Sequence, residues 1–224
     1  MPKIVTNRCL IDMIAQGHIE RLNIIPQPIM RILFLGYCRK QTKLIDSLIN
    51  AKCEVHHTDG AICTAIQYDL IVSFGYRHIL KREFIESVGC PIVNNHMSYL
   101  PFNRGAHPNF WSFYESTPVG VSIHLMDEGI DTGPIIYQRQ VVFETSEITF
   151  EQTYHRLFNE LESLFIENLD QIISRQWLAV PQQGEGTLHY QKDLPEEFGG
   201  WQTIIEDEVR RLISISEEAS LIKK

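Results

Sequence analysis

The densest group of side chains capable of chemistry begins directly after a short apolar run, in the segment from 94 to 111. Asn94 and His96 lie two residues apart, so on an extended strand both face the same side. An amide donor beside an imidazole can stabilise a developing oxyanion and exchange a proton near neutral pH. Taken alone, one Asn-x-His pair is more simply explained as a strand-end turn with a solvated histidine.

A second group of reactive side chains lies in the segment 126–134, which reads MDEGIDTGP and combines three carboxylates with two glycines. By itself this pattern indicates a hairpin loop. A calcium site is a weaker interpretation because the spacing does not match the D-x-[DN]-x-[DN]-G loop, and we expect no metal. Any of these carboxylates brought next to His96 would favour the imidazolium and orient the ring.

The elements that must position these groups alternate between apolar strands and amphipathic helices, as expected for a parallel sheet covered by helices. Two further β-rich runs, 119–125 and 135–143, are joined by the carboxylate loop and predict a final antiparallel pair. The fold class is therefore α/β, a mostly parallel sheet flanked by helices. Ligands of such sheets bind at the carboxyl ends of the strands, where the polar segment begins. The alternating elements are predicted at 32–35, 44–49, 53–57, 70–74, 81–87 and 91–95.

The chain ends are harder to assign. Residues 1–29 have only a fragmentary helical pattern and are treated as an N-terminal appendage, or as residues before a natural start at Met30. The catalytic domain is predicted over 30–178. It includes a long helix that begins with a capping box at Thr149 and Gln152 and carries an apolar stripe from Tyr154 to Leu169. A C-terminal extension follows over 179–224, with a short helix near 204–213.

Composition narrows the function classes. The charge of 20 basic minus 28 acidic residues, −8, makes nucleic acid a weak first choice of partner. The apolar runs are far shorter than the ~20 residues of a membrane helix, and no secretory signal is apparent, so we expect a cytoplasmic protein. Five cysteines without a C-x-x-C pair predict free thiols. The motifs G-x-G-x-x-G, G-x-x-x-x-G-K-[ST], G-x-S-x-G and H-E-x-x-H do not occur, which weakens the nucleotide-enzyme, hydrolase and zinc-protease readings.

The runs NNHMSYLPFNRGAHPNFW at 94–111 and GVSIHLMDEGIDTGPII at 120–136 together resemble the signature of the folate-dependent formyltransferases. The resemblance covers about 30–175 and implies a Rossmann-like formyltransferase fold with 10-formyltetrahydrofolate as the formyl donor. It places the family's catalytic Asn, His and Asp on Asn94, His96 and Asp131. The segment FGYRHIL at 74–80 resembles the family's pterin-binding loop. The folate candidates are Tyr76, Arg77, His78, Ile79, Leu80 and Asp127.

Among these enzymes the chain is most similar to the sugar N-formyltransferases. The resemblance therefore implies transfer to the 4-amino group of a nucleotide-linked 4-amino-4,6-dideoxy sugar, made for bacterial surface polysaccharides such as the O-antigen of lipopolysaccharide. The planar guanidinium of Arg104 suits a diphosphate, and an aromatic side chain such as Trp111 can stack on a base. The substrate candidates are Ser98, Tyr99, Asn103, Arg104, Gly105, Ala106, His107 and Trp111.

Other interpretations stay open. Methionyl-tRNA formyltransferases share the SxLPxxRG pattern but carry a further barrel domain, for which the segment after 180 is too short. Glycinamide ribonucleotide formyltransferases usually lack the Arg-Gly pair. A non-catalytic protein that binds folate or a nucleotide sugar is a third alternative, although it would need no intact Asn-His-Asp trio. The segment HYQKDLP at 189–195 is expected to close the site, to pair subunits into a homodimer, or to form a solvated hairpin.

Overall fold

The computed structural model describes residues 29–64, 67–144 and 148–222, so the predicted appendage up to residue 28 lies outside the described residues. The strands are β1 Arg31–Gly36, β2 Glu54–Thr58, β3 Leu70–Phe74, β4 Ile92–His96, β5 Arg104–Gly105, β6 Gly120–Leu125, β7 Ile135–Gln140 and β8 Leu188–His189. The helices are α1 Leu44–Asn50, α2 Arg82–Ser87, α3 Pro108–Tyr114, α4 Phe150–Glu167, α5 Leu169–Ser174 and α6 Ile205–Ile222.

The central sheet has the strand order β2-β1-β3-β4-β6-β7. The first four strands are parallel, whereas β6 runs antiparallel to both β4 and β7. This confirms the predicted fold class, including the antiparallel pair, although β7 ends at Gln140 rather than at 143. A separate two-stranded ladder joins β5 to β8 in parallel.

Alternation along β1 explains how the sheet is covered on both faces. Ile32 and Phe34 pack into the core formed with α1 and α4, whereas Leu33 and Leu35 pack with Phe84 of α2 on the opposite face. A strand that is buried on both faces needs a continuous apolar run, which is the pattern of β1 and β3. In this sheet β4 lies between β3 and β6, so its carboxyl end has a paired strand on each side.

Helix α4 begins with the predicted capping box: the hydroxyl of Thr149 accepts from the amide of Gln152 at 3.3 Å, and Gln152 Oε1 accepts from the amide of Thr149 at 2.9 Å. Its predicted stripe is buried at Leu157 and Leu161, but the helix ends at Glu167, before the last predicted stripe position.

The C-terminal helix is longer than predicted. Helix α6 runs for 18 residues, from Ile205 to Ile222, whereas the sequence predicts a helix only near 204–213. Ile205 and Leu212 are buried in a cluster with Phe110 of α3 and Phe150 of α4. Helix α6 therefore packs against α3 and α4. Over the described ranges, no helix is both long and apolar enough to cross a membrane.

Candidate active site

The side chains of Asn94, His96 and Asp131 come together at the carboxyl end of β4. Asn94 Nδ2 donates a hydrogen bond to Asp131 Oδ1 at 3.0 Å, and His96 Nδ1 lies 3.6 Å from Asp131 Oδ2. The first two share one face of β4. Asp131 reaches them because β6 runs antiparallel beside β4, so the loop after β6 returns to the end of that strand. The structure thus places the predicted trio in one cluster.

Asp131 is held as a buried carboxylate, with 12% of its side chain exposed. Burial alone would raise the pKa of Asp131, but the charge of His96, the hydrogen bond and charge of His124 and the amide of Gly105 together hold that pKa well below its ordinary value. The Gly105 amide donates to Asp131 Oδ2 at 2.9 Å. The backbone of Asp131 is left-handed, with φ of 51°, which a non-glycine residue adopts only when its surroundings hold it there.

The tautomer of His96 follows from its contacts. Its Nε2 lies 3.0 Å from the carbonyl oxygen of Asn103, and because a carbonyl can only accept, Nε2 carries the proton. Nδ1 is then the nitrogen that faces the Asp131 carboxylate and can exchange a proton. His96 is 7% exposed and lines a cleft.

A second histidine, His124, belongs to the same cluster and was not predicted. It lies opposite Asn94 in the β4–β6 register, with its Nε2 3.2 Å from Asn94 Nδ2 and 3.4 Å from Asp131 Oδ1. Its Nδ1 donates to the carbonyl of Leu125 at 2.9 Å. The available signal was one histidine inside an otherwise apolar strand, GVSIHL, which gains meaning only once the pairing partner is known.

The trio opens onto a cleft of about 320 Å³ between the loop after β3 and the loop after β6. Five of the predicted folate residues line it: Tyr76, His78, Ile79, Leu80 and Asp127. The sixth, Arg77, lines two neighbouring clefts instead. Asp127 Oδ1 accepts from the amide of Gly129 at 3.0 Å and from Thr132 Oγ1 at 2.6 Å, and so shapes its own loop.

Asn95 presents an unpaired acceptor in the wall of this cleft. Its Nδ2 donates to the carbonyl of Ser73 at 2.9 Å, whereas its Oδ1 is buried and has no hydrogen-bond partner among the described residues. Leaving a buried acceptor unpaired costs about 1–3 kcal/mol.

Two further clefts adjoin the first, and Tyr76 lines all three. One, of about 960 Å³, contains the predicted substrate residues Gly105, Ala106 and His107 together with Lys192 of the C-terminal extension. The other, of about 530 Å³, is aromatic: Tyr37, Tyr154 and Trp201 line it, none of which was predicted. The hydroxyls of Tyr37 and Tyr154 are 2.8 Å apart, and burial together with this bond raises the pKa of Tyr154.

Three of the predicted substrate residues have side chains that are enclosed by the protein. Ser98 and Asn103 are fully buried. Trp111 is 7% exposed and stacks on His189, with ring centroids 3.9 Å apart, so its ring face is occupied by the chain's own histidine instead of a base.

The two other substrate candidates also lie apart from the three clefts. The Arg104 guanidinium donates to Gln182 Oε1 from Nε at 3.0 Å and from Nη2 at 2.7 Å. It is thus engaged within the protein rather than open to a diphosphate. Tyr99 is half-buried beside Gly120, where a Cβ on the glycine would lie 3.0 Å from the ring.

The C-terminal extension reaches the site through β8. Leu188–His189 pairs with Arg104–Gly105, which follows β4 in the chain. The amide of Ala106 donates to the carbonyl of His189 at 2.8 Å. In the segment 189–195, Tyr190 and Lys192 line the largest of the three clefts. In the described part of the chain, no cluster of three His, Cys, Asp or Glu side chains could hold a metal ion.

Comparison with known proteins gives a consistent result. Residues 40–169 match the family model "Formyl transferase". A dTDP-4-amino-4,6-dideoxyglucose formyltransferase of Mycobacterium tuberculosis is 34% identical over 130 residues, 58% of this chain and 54% of that protein. A methionyl-tRNA formyltransferase of Cyanothece is 34% identical over 132 residues, 58% of this chain and 39% of that protein. The chain thus spans about half the length, or less, of these curated relatives.

Among solved structures, the formyltransferase PseJ from Anoxybacillus kamchatkensis is 38% identical, with a TM-score of 0.73 over 79% of this chain and 96% of that one. Its crystal contains UDP-4,6-dideoxy-4-formamido-L-AltNAc and tetrahydrofolate.

Proposed function

The chain belongs to the formyl transferase family, and on that premise we propose that it transfers a formyl group from 10-formyltetrahydrofolate to the 4-amino group of a nucleotide-linked 4-amino-4,6-dideoxy sugar. One observation carries the choice of acceptor. The PseJ structure, to which this chain is similar over 96% of that chain's length, holds a nucleotide-linked 4-formamido sugar together with tetrahydrofolate. These two molecules are the products that the proposed reaction would release.

The residues of the trio suit this chemistry. The acceptor amine forms a bond to the formyl carbon, the bond from that carbon to N10 breaks, the amine loses a proton, and N10 gains one as tetrahydrofolate leaves. His96 Nδ1 is placed to take that proton, and the Asp131 carboxylate 3.6 Å away compensates the charge that His96 gains. Asn94 Nδ2, which faces Asp131 Oδ1 and His124 Nε2 in this structure, would turn one of its two N–H groups to the formyl oxygen as negative charge develops there. Such a donor is worth roughly a hundred- to a thousandfold in rate.

The cleft of about 320 Å³ beside the trio is our candidate for the folate site. 10-Formyltetrahydrofolate would supply the formyl carbon, and its pterin ring carries hydrogen-bond donors. Ile79, 84% exposed at the rim of the cleft, offers an apolar contact for the aromatic part of the cofactor.

The two neighbouring clefts are our candidates for the acceptor. Arg77 lines both, and Lys192 lines the larger one, which gives a diphosphate two cationic partners. Tyr37 and Trp201 in the aromatic cleft offer surfaces for a base or a sugar. This assignment replaces Arg104, which is bound to Gln182, by Arg77 as the main phosphate candidate.

A methionyl-tRNA acceptor is the second candidate, because the similarity to the Cyanothece enzyme is also 34%. The net charge of −8 disfavours it, since tRNA binding relies on basic surface.

We further propose that the protein acts in the cytoplasm as a homodimer and supplies a formylated sugar for bacterial surface polysaccharide. Gel filtration with light scattering tests the dimer.

The test of function is spectrophotometric release of tetrahydrofolate from 10-formyltetrahydrofolate with thymidine-, uridine- and guanosine-linked 4-amino sugars, glycinamide ribonucleotide and methionyl-tRNA as separate acceptors. We expect turnover with one nucleotide-linked amino sugar. Turnover with only one of the other two acceptors would contradict the proposal and reassign the chain. If no acceptor is formylated, calorimetry with folinic acid would identify a non-catalytic folate-binding protein. His96→Ala serves as the inactive control.

A further inference from the structure

We propose that the segment 182–189 of the C-terminal extension is a working part of the active site, with Gln182 and Thr187 as positioning residues for Asp131 and His96. Both residues lie beyond 169, where the match to the family model ends. The inference rests on the proposed function, because it assigns these residues to the geometry of the proposed trio.

Gln182 ties the loop of Asp131 to the segment that follows β4. Its Nε2 donates to the carbonyl of Asp131 at 2.7 Å and to the carbonyl of Gly133 at 2.8 Å. Its Oε1 accepts two bonds from the Arg104 guanidinium. Because carbonyls only accept and a guanidinium only donates, these four bonds fix the orientation of the amide.

Asp131 needs such a restraint. Its left-handed backbone, φ 51°, is strained for a residue with a side chain. Gln182 holds the carbonyl of Asp131, and the amide of Gly105 holds its carboxylate at 2.9 Å. Arg104 and Gly105 are adjacent in the chain, so the carboxylate and the carbonyl of Asp131 are both fixed from one dipeptide, directly and through Gln182.

Thr187 acts in the same way on His96. Its hydroxyl accepts from the amide of Asn103 at 2.8 Å and donates to Asn103 Oδ1 at 3.1 Å. The carbonyl of the same Asn103 accepts from His96 Nε2 at 3.0 Å and so determines that Nδ1 is the ring nitrogen that faces Asp131. Thr187 therefore fixes the residue that sets the tautomer of His96.

The segment 182–189 packs closely against the backbone of the segment that follows β4. A Cβ on Gly186 would lie 2.3 Å from the carbonyl oxygen of Pro101, and a Cβ on Gly105 would lie 2.3 Å from the carbonyl oxygen of His189. Only glycine allows this approach of the two backbones at both positions. A displacement of 182–189 would therefore be transmitted to the trio.

The decisive variant is Gln182→Glu. It keeps an oxygen for Arg104 but places a second oxygen against the two loop carbonyls, so it removes the restraint on Asp131 alone. We expect kcat to fall about ten- to a hundredfold, the range of a misplacement near 1 Å, with the KM for the folate within about twofold of wild type. Gln183→Glu, the same change in the adjacent exposed residue, is the matched control and should retain full activity.

Thr187→Val tests the second residue, because valine has the same shape without the hydroxyl. We expect a similar fall in kcat, with Thr187→Ser restoring the rate since serine keeps the two bonds to Asn103. If Gln182→Glu does not fold, as judged by its melting temperature, Gln182→Met takes its place, because methionine has similar length and neither polar group.

A readout independent of turnover separates this inference from the proposed function. The imidazole signals of His96 and His124, observed by NMR in the protein without ligands, should shift in Gln182→Glu and stay in place in Gln183→Glu. If wild type formylates no acceptor, the proposed function fails while the NMR measurement still tests the positioning. Wild-type kcat for Gln182→Glu, unchanged imidazole signals, or an equal loss in Gln183→Glu would each overturn the inference.

Discussion

Asp131→Asn should make the protein less stable at neutral pH and make its stability less dependent on acid. The carboxylate accepts from Asn94 Nδ2 at 3.0 Å on one oxygen and from the Gly105 amide at 2.9 Å on the other. Whichever way the new amide is oriented, its NH₂ group faces one of these donors. One buried donor is then left unsatisfied, which costs about 1–3 kcal/mol at pH 7.

The pH dependence has a definite sign. The pKa of Asp131 in the folded protein lies well below its value in the unfolded chain, about 3.9, so the ionised carboxylate stabilises the fold above about pH 4. This contribution is lost as pH falls from about 4 through the folded-state pKa. Between pH 7 and pH 3 the linkage relation gives a loss of about 1.3 kcal/mol in wild type and none at this position in Asp131→Asn.

Urea unfolding of both proteins at pH 7, 5, 4 and 3 measures this difference. The advantage of wild type over Asp131→Asn should shrink by about 1.3 kcal/mol across the series. An advantage that stays constant from pH 7 to pH 3 would refute the depressed pKa. Asp127→Asn, the same change in the same loop, is the matched control, and an equal change there would assign the effect to the loop as a whole.

Gly105→Ala should detach the C-terminal segment, because the added Cβ would meet the His189 carbonyl at 2.3 Å, and limited proteolysis should then cut near 184–186. Cleavage no faster than in wild type would contradict this. Glu162→Ala should lower the free energy of unfolding by about 2 kcal/mol, because it leaves the buried Thr42 hydroxyl and the next amide without their acceptor, and an effect below about 0.5 kcal/mol in urea unfolding would argue otherwise. Thr149→Ala removes the cap of α4 and should cost about 1 kcal/mol by the same measurement, unless solvent replaces the hydroxyl fully.

The sequence was sufficient for the architecture because each strand of the sheet carries its own local signal. The continuous apolar run of β3 and the capping box of α4 specify their elements without reference to the rest of the chain. Helix α6 was predicted too short: its buried residues, Ile205 and Leu212, lie within the predicted part, and the turns after 213 are mostly exposed.

The site was predictable where spacing alone determines geometry. Asn94 and His96 share a face because they are two residues apart on one strand. His124 was missed because it joins them only through the pairing of β6 with β4. The stacking of Trp111 on His189 could not be predicted, because His189 lies 78 residues further along the chain.

The residues of the candidate site come from two separate regions of the chain. The residues proposed to act on the substrate, Asn94, His96 and Asp131, lie within 40–169, the region matched by the family model. The groups that hold the Asn103 carbonyl and the Asp131 backbone come from 182–189, outside that match. A chain cut at the predicted boundary after 178 would keep the trio and lose both Gln182 and Thr187. We therefore expect such a fragment to contain all three residues of the trio but to lose the contacts that position Asp131 and His96.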